Sequence, residues 1–361
     1  MKKAYFIIII LLTSFSIQSQ STNSILDSLA QTIVEKYNLP SLTVSYIKKD
    51  TCFYGQNGNI NINSKNKVRL TDKYHLGSNT KAITSLIAFK LIENKKITLD
   101  TKLVDLFPEL KKKIKRQYCK ITLSNLLSHN ARVQPYTSGI EFENLTEFTG
   151  TISEKRFAFT KYVLNQKTTK RGTYSNAGYI IASLMLEKCS NNSFEELVKE
   201  MFSEMKLDYF IGFPNKEFTE STWGHWEENN KLIALPPTHS YTLEDYALPA
   251  GDISMNIIDY SQFVQKHLNG LLGIDNYLVA KSYNDIHYKK VPYSYGWKNQ
   301  INKKGKMSFH DGSTGTYFCH TIISSTHEFA IIIFINSAEE NHVKGVYELR
   351  NEIFKIRSKI R

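Results

Sequence analysis

Residues 76–100 read LGSNTKAITSLIAFKLIENKKITLD, and from Ser78 to Asn94 this stretch is apolar on nearly every side. A surface helix shows one apolar stripe, whereas a helix apolar all round is buried on all its faces. The helix is therefore predicted to be central, and its first turn carries Ser78 and Lys81. A helical spacing of three puts that hydroxyl and that amine on the same face. Serine is a poor nucleophile at its free pKa and needs a nearby base, which a desolvated lysine of lowered pKa can supply. The free backbone N–H groups of a helix start can steady a developing oxyanion.

The S-x-x-K spacing also occurs at Ser45 and Lys48, Ser64 and Lys67, and Ser203 and Lys206. Ser45 falls on a predicted strand, where an offset of three sends the two side chains to opposite faces. The Ser64 pair sits in a polar, Asn-rich loop. The Ser203 pair ends an exposed helix, where a lysine stays protonated. Only Ser78 and Lys81 open a buried helix.

Working outward, residues 25–36 have apolar positions at helical spacing, and Ser41 to Ile47 alternates before a turn and a second short run, an early hairpin. Helices are predicted at 122–128, 154–165, 177–188, 193–205 and 255–268. Residues 211–250 carry Pro214, Pro236, Pro237 and Pro249 with little periodicity and read as long loops. The runs 307–310, 316–324 and 328–336 read as antiparallel strands before a last helix at 343–356. A helical block thus splits early strands from late ones, and no internal repeat is present.

The chain has 361 residues, 41% hydrophobic and 22% charged, which excludes a chain disordered for want of apolar residues. Lys2 and Lys3 precede an apolar stretch and then Ser19, Gln20 and Ser21, the order of a secretory signal. Residues 1–20 are expected to be that signal, with a retained anchor as the alternative, and the mature chain to be periplasmic or secreted. No later run approaches a membrane span. Net charge is +12, and +10 without Lys2 and Lys3. The basic runs at 111–116, 303–306 and 355–361 lack interleaved stacking aromatics, so no nucleic-acid partner is expected. They read as solvated surface, or as attraction to an anionic envelope. Cys52, Cys119, Cys189 and Cys319 lie far apart without a C-x-x-C pair, which gives no support for a zinc site and leaves disulfides or buried thiols open.

Two further motifs carry chemistry. Tyr174-Ser175-Asn176 lies between a polar loop and an apolar helix. Its phenol can relay a proton and its amide can orient a substrate or the lysine. The plainer reading is a packed tyrosine, with Asn176 capping the helix. His310-Asp311-Gly312-Ser313 ends a predicted strand. Glycine there lets a substrate backbone approach, and the imidazole offers a donor or a positive charge; a structural histidine is the plainer reading. Neither a G-x-S-x-G elbow nor H-E-x-x-H is present. Trp223, His225 and Trp226 either wall the cleft or pack their own loop, and Trp297 reads as core.

In the order Ser-x-x-Lys, Tyr-Ser-Asn, His-x-Gly, these motifs resemble the penicillin-recognising serine hydrolases, in particular the class C β-lactamase and low-molecular-weight DD-peptidase branch. ITLSNLLSHNAR, GTYSNAGYIIASLML, LPAGDISMNIIDYSQF, YSYGW and FHDGSTGTY support the resemblance, which covers roughly the whole mature chain. It implies an α/β fold of the α+β type: an antiparallel sheet flanked by helices (about 21–105 and 245–361) with an inserted all-helical part (about 106–244). It further implies Ser78 as acylated nucleophile, Lys81 as its activating partner, and Tyr174 as general base and proton shuttle. Asn176, His310, Gly312 and Ser313 would bind substrate, the N–H groups of Ser78 and Ser313 forming the oxyanion hole. No metal or cofactor is implied.

The sequence departs from relatives where they commonly read S-H-T-S-G. Ser128-His129-Asn130-Ala131-Arg132 loses the glycine and is expected to add a positive charge at the site rim. The histidine at 310, where β-lactamases carry lysine, is similar to DD-peptidases, D-aminopeptidases and esterases. The expectation is a monomeric exported serine hydrolase forming an acyl-enzyme on a small-molecule or peptide substrate, foremost D-amino-acid peptides of peptidoglycan. An esterase or β-lactamase is the alternative within the class, and a non-catalytic penicillin-binding sensor the alternative outside it.

Overall fold

The computed structural model describes residues 23–360 except 144 and 146, so the signal-peptide reading of residues 1–20 lies outside the described residues. The strands are β1 (Ser41–Ile47), β2 (Cys52–Gly58), β3 (Lys73–His75), β4 (Phe210–Ile211), β5 (His225–Glu228), β6 (Lys231–Ala234), β7 (Ile253–Asn256), β8 (Lys298–Asn302), β9 (Gly305–Ser313), β10 (Phe318–Ser324) and β11 (Phe329–Ile335). Six of them form one antiparallel sheet in the order β2-β1-β11-β10-β9-β8. A three-stranded sheet, β3-β7-β4, and the hairpin β5-β6 stand apart.

The central strands are buried along their whole length because both faces of the sheet are covered. In β11, Phe329, Ile331, Ile333 and Ile335 join one cluster with the helices Ser24–Tyr37 and Glu340–Ile356, while Ala330, Ile332 and Phe334 face the main core. A strand that packs on both sides reads as a continuous apolar run, which is why FAIIIFI does not alternate. Asn23 caps the first helix through its Oδ1, which accepts from Ile25 N at 3.1 Å and Leu26 N at 3.3 Å.

The helix Thr80–Glu93 is buried at nearly every position, as its sequence predicts, and it packs against the helices Asn176–Ser190 and Leu248–Gly251. Gly296 seats the turn after residue 293 on this helix. Its φ is +79°, and a Cβ there would meet Lys81 O at 2.7 Å, so only glycine fits.

Three readings are corrected. Residues 211–250 are not all loop, because 225–234 pair as a hairpin whose strands, HWEE and KLIA, are too short to show a period. Met255 lies on β7, and the helix read from it begins at Ile257, where Asn256 Oδ1 accepts from Asp259 N at 2.8 Å and caps it. The helix Ala280–Tyr288 and β8 went unread, since KNQIN at a sheet edge has neither an apolar face nor a turn signal. All four cysteines are free thiols, Cys319 buried. Among the described residues no helix is long and apolar enough to cross a membrane.

Candidate active site

Ser78 sits in the 3₁₀ turn Gly77–Asn79 that leads into the helix Thr80–Glu93. The turn is pinned from several sides. Leu76 N donates to Ile253 O at 2.8 Å, Thr80 Oγ1 to Gly77 O at 2.8 Å, and Gly77 N to His75 Nδ1 at 3.0 Å. Because His75 Nδ1 accepts, its proton is on Nε2, which lies 2.9 Å from Asp252 Oδ1. The His75–Asp252 pair therefore ties the approach to Ser78 to the residue just after Gly251.

Lys81 Nζ donates to Asn176 Oδ1 at 2.7 Å and to Ala250 O at 2.6 Å, and it lies 3.1 Å from Ser78 Oγ. Both carbonyl oxygens are acceptors only. They occupy two N–H groups, which in a neutral amine leaves a single lone pair, directed at Ser78. Complete burial favours that neutral form and holds the Lys81 pKa well below the usual lysine range.

Tyr174 is partly buried. Burial raises its pKa, and a hydrogen-bonding interaction with Ser78 opposes the rise only in part, so the resting group is a phenol. Its ring centroid lies 4.9 Å from Lys81 Nζ, 4.3 Å from the His129 ring, 6.0 Å from Tyr293 and 6.2 Å from His310. Ser175, rather than Asn176, caps the helix that follows: its Oγ accepts from Gly178 N at 3.1 Å. Asn176 is thereby free to hold Lys81.

His310 is buried on β9, its Nε2 3.1 Å from the Tyr293 hydroxyl. Burial lowers its pKa to about 3, so the imidazole is neutral, and of the two roles expected of it, donor or positive charge, the positive charge is absent. Gly312 packs directly on the nucleophile turn: a Cβ there would meet Leu76 O at 2.0 Å and Ser78 N at 3.0 Å. A Cβ on Gly77 would meet Ser313 N at 2.6 Å. The end of β9 and the Ser78 turn are thus in backbone contact. Ser78, Asn176 and Ser313 line one cleft of about 580 Å³.

The structure therefore brings Ser78, Lys81, Tyr174 and Asn176 together, sets Gly312 and Ser313 against the Ser78 turn, and joins His310 through Tyr293. Sequence reasoning missed His129, Tyr293 and Ala250 as members of this group, although each lies in a stretch that carried the resemblance: SHNAR, YSYGW and LPAGD. Arg132 is held away from the residues that line the cleft. Its Nε donates to Thr169 O at 3.0 Å, and its side chain is outside the cleft lining. His225 is buried with Nδ1 2.7 Å from Asn336 O, and neither it nor Trp223 nor Trp226 lines the cleft. Trp297 is core.

A sequence model described as Beta-lactamase matches residues 26–351. The chain belongs to the Beta-lactamase family. Among curated proteins it is 23% identical over 344 residues to Protein flp of Staphylococcus aureus (strain MW2), covering 91% of this chain and 66% of the relative. It thus spans just under two thirds of that relative's length. It is also 23% identical over 207 residues to a probable fimbrial assembly protein FimD, serogroup H1, of Dichelobacter nodosus, covering 55% of this chain and 49% of the relative. Among solved structures, a class C beta lactamase from Rhodobacter sphaeroides superposes with a TM-score of 0.71 at 14% identity, covering 91% of this chain and 98% of the other. The octameric penicillin-binding protein homologue from Pyrococcus abyssi gives 0.69 at 20% identity, covering 87% and 73%. At these identities the two structures establish the fold, an α/β arrangement with an antiparallel sheet and flanking helices.

Proposed function

We propose that this member of the Beta-lactamase family is a serine hydrolase working through an acyl-enzyme on Ser78. The observation that carries the reading is the buried Lys81 amine, whose two carbonyl acceptors leave its remaining position facing Ser78 Oγ at 3.1 Å. In the first step Ser78 Oγ gives its proton to Lys81 and bonds to the substrate carbonyl carbon. The oxyanion that forms lies where the N–H groups of Ser78 and Ser313 can both donate to it. The proton passes through the Tyr174 phenol to the leaving amine or alcohol as the C–N or C–O bond breaks. Water then attacks the ester, its proton following the reverse route, and frees Ser78. Tyr174 acts as a relay because burial disfavours its phenolate.

The resemblance makes D-amino-acid peptides of the cell wall the leading substrate class, with short-chain esters and β-lactams next. Export belongs to the same proposal, supported by the basic and then apolar order of residues 2–17. A monomer is part of the same proposal. The test is incubation with a fluorophosphonate and with a fluorescent penicillin, followed by peptide mass spectrometry. An adduct on Ser78 that is absent from Ser78→Ala is the expected result, and no adduct from either probe overturns the reading.

A further inference from the structure

The basic residues are not spread evenly over the surface. Lys111, Lys112, Lys113, Lys115, Arg116 and Lys120 are all exposed, on a segment held against residues 161–172. Asn165 Nδ2 donates to Lys113 O at 2.8 Å, and Lys115 N to Leu164 O at 3.1 Å. That second segment brings Lys161, Lys167, Lys170 and Arg171, all exposed. It is joined in turn to residues 129–134, since Thr169 N donates to Arg132 O at 2.8 Å and Gly172 N to His129 O at 3.1 Å. Arg132, also exposed, is the eleventh cation of three abutting stretches, 109–120, 129–134 and 161–172, whose one carboxylate is Glu109.

None of the eleven forms an ion pair among the described residues. So many like charges repel one another, and an anionic partner would relieve that repulsion. The other basic runs differ. Lys355 is paired with Glu352 at 2.7 Å, while Lys303, Lys304 and Lys306 belong to the β8–β9 hairpin at the sheet edge.

The make-up of this face narrows the partner. Eight of the eleven are lysines, compact hydrated charges that lack the fork with which arginine grips a single phosphate. The guanidinium groups of Arg132 and Arg171 are held by Thr169 O and Asn130 Oδ1. The tyrosines of these stretches, Tyr118 and Tyr162, are buried and half-buried, which leaves no platform on which nucleic-acid bases would stack. A polymer chain lies along a stripe, whereas three stretches side by side spread charge in two dimensions, as a plane of headgroups does. None of the large exposed apolar side chains falls in these stretches, so contact there rests on charge alone.

We propose that this face docks the protein on an anionic phospholipid surface. The inference goes beyond the acyl-enzyme reading and does not depend on it.

The test is co-sedimentation of the purified protein with vesicles of phosphatidylcholine, alone or mixed with phosphatidylglycerol. Anionic vesicles should bind the protein far better than neutral ones, and the difference should vanish at about 1 M salt, where the screening length falls to about 3 Å. Attachment through the apolar N-terminal run would show equally on neutral vesicles. Lys111→Gln, Lys112→Gln and Lys113→Gln together should weaken binding to the anionic vesicles by about a hundredfold. Lys161→Gln, Lys167→Gln and Lys170→Gln together should do the same from the second stretch. The identical loss of charge at Lys303, Lys304 and Lys306 should leave binding nearly intact. All nine lysines are exposed, so the three variants are expected to fold, which a thermal melt checks. Equal binding to both kinds of vesicle, or an equal loss from the hairpin variant, overturns the inference. Capture by soluble polyphosphate without binding to anionic vesicles also overturns it, and assigns the face to an anionic polymer instead.

Discussion

Replacing Gly312 by alanine adds one methyl group at the point where β9 touches the nucleophile turn. That carbon would lie 2.0 Å from Leu76 O, 2.9 Å from Asn79 N and 3.0 Å from Ser78 N. An unstrained C···O contact is about 3.3 Å, so strand and turn must separate by about 1.3 Å. Neither side yields easily. The strand is paired with β10 in the register Gly312 to Cys319 and Ser313 to Phe318, and the turn is tied to Ile253 O and His75 Nδ1. Overpacking of this kind costs about 1–3 kcal/mol, which lowers the melting temperature of a domain this size by several degrees. The effect on chemistry is larger, because moving Ser78 relative to Lys81 and Ser313 by about 1 Å costs about a hundredfold in rate. Intact-mass time courses of fluorophosphonate labelling give the rate, and a thermal melt gives the stability. Labelling at the wild-type rate in Gly312→Ala would refute the claim that the end of β9 holds the nucleophile in place.

Lys81→Met should slow acylation of Ser78 by about 10²- to 10⁴-fold, and Lys81→Arg should not restore it, since a guanidinium stays protonated; labelling rates decide the matter. His75→Ala and Asp252→Ala should each lower stability by about 2 kcal/mol in urea titrations and also slow labelling, because the first removes the acceptor of Gly77 N and the second the acceptor of His75 Nε2–H; a stability loss with unchanged labelling would count against the second part. Stability should also fall on the acid side. Burial holds His267 and His310 at about 3. The unfolded chain, with histidines near 6.5, binds more protons across that window. The stabilising contribution is thus complete above about pH 6.5 and is lost as pH falls towards 3, about 2 kcal/mol per histidine by pH 5. Equal urea midpoints at pH 7 and pH 5 would contradict this.

What was legible in the sequence is what local spacing encodes. An all-round apolar helix, a two-faced strand such as FAIIIFI and a hydroxyl three residues before an amine each follow from the period of one element. The site's electrical character does not, because it is set by pairs that the fold creates. Lys81 meets Ala250 across 169 positions, and His75 meets Asp252 across 177. His310 was read as a possible positive charge from its residue type. What makes it neutral is enclosure, and its Nε2 meets the hydroxyl of Tyr293, which arrives from a turn seated on the Lys81 helix by Gly296. Arg132 reads as a rim charge from its place after SHNA, and in the fold its side chain bonds the 168–169 loop. Reactive groups are thus recognisable one element at a time, since a nucleophile and its base must share a face. How those groups act depends on partners that the fold brings from far along the chain, as Asn176 and Ala250 come to Lys81.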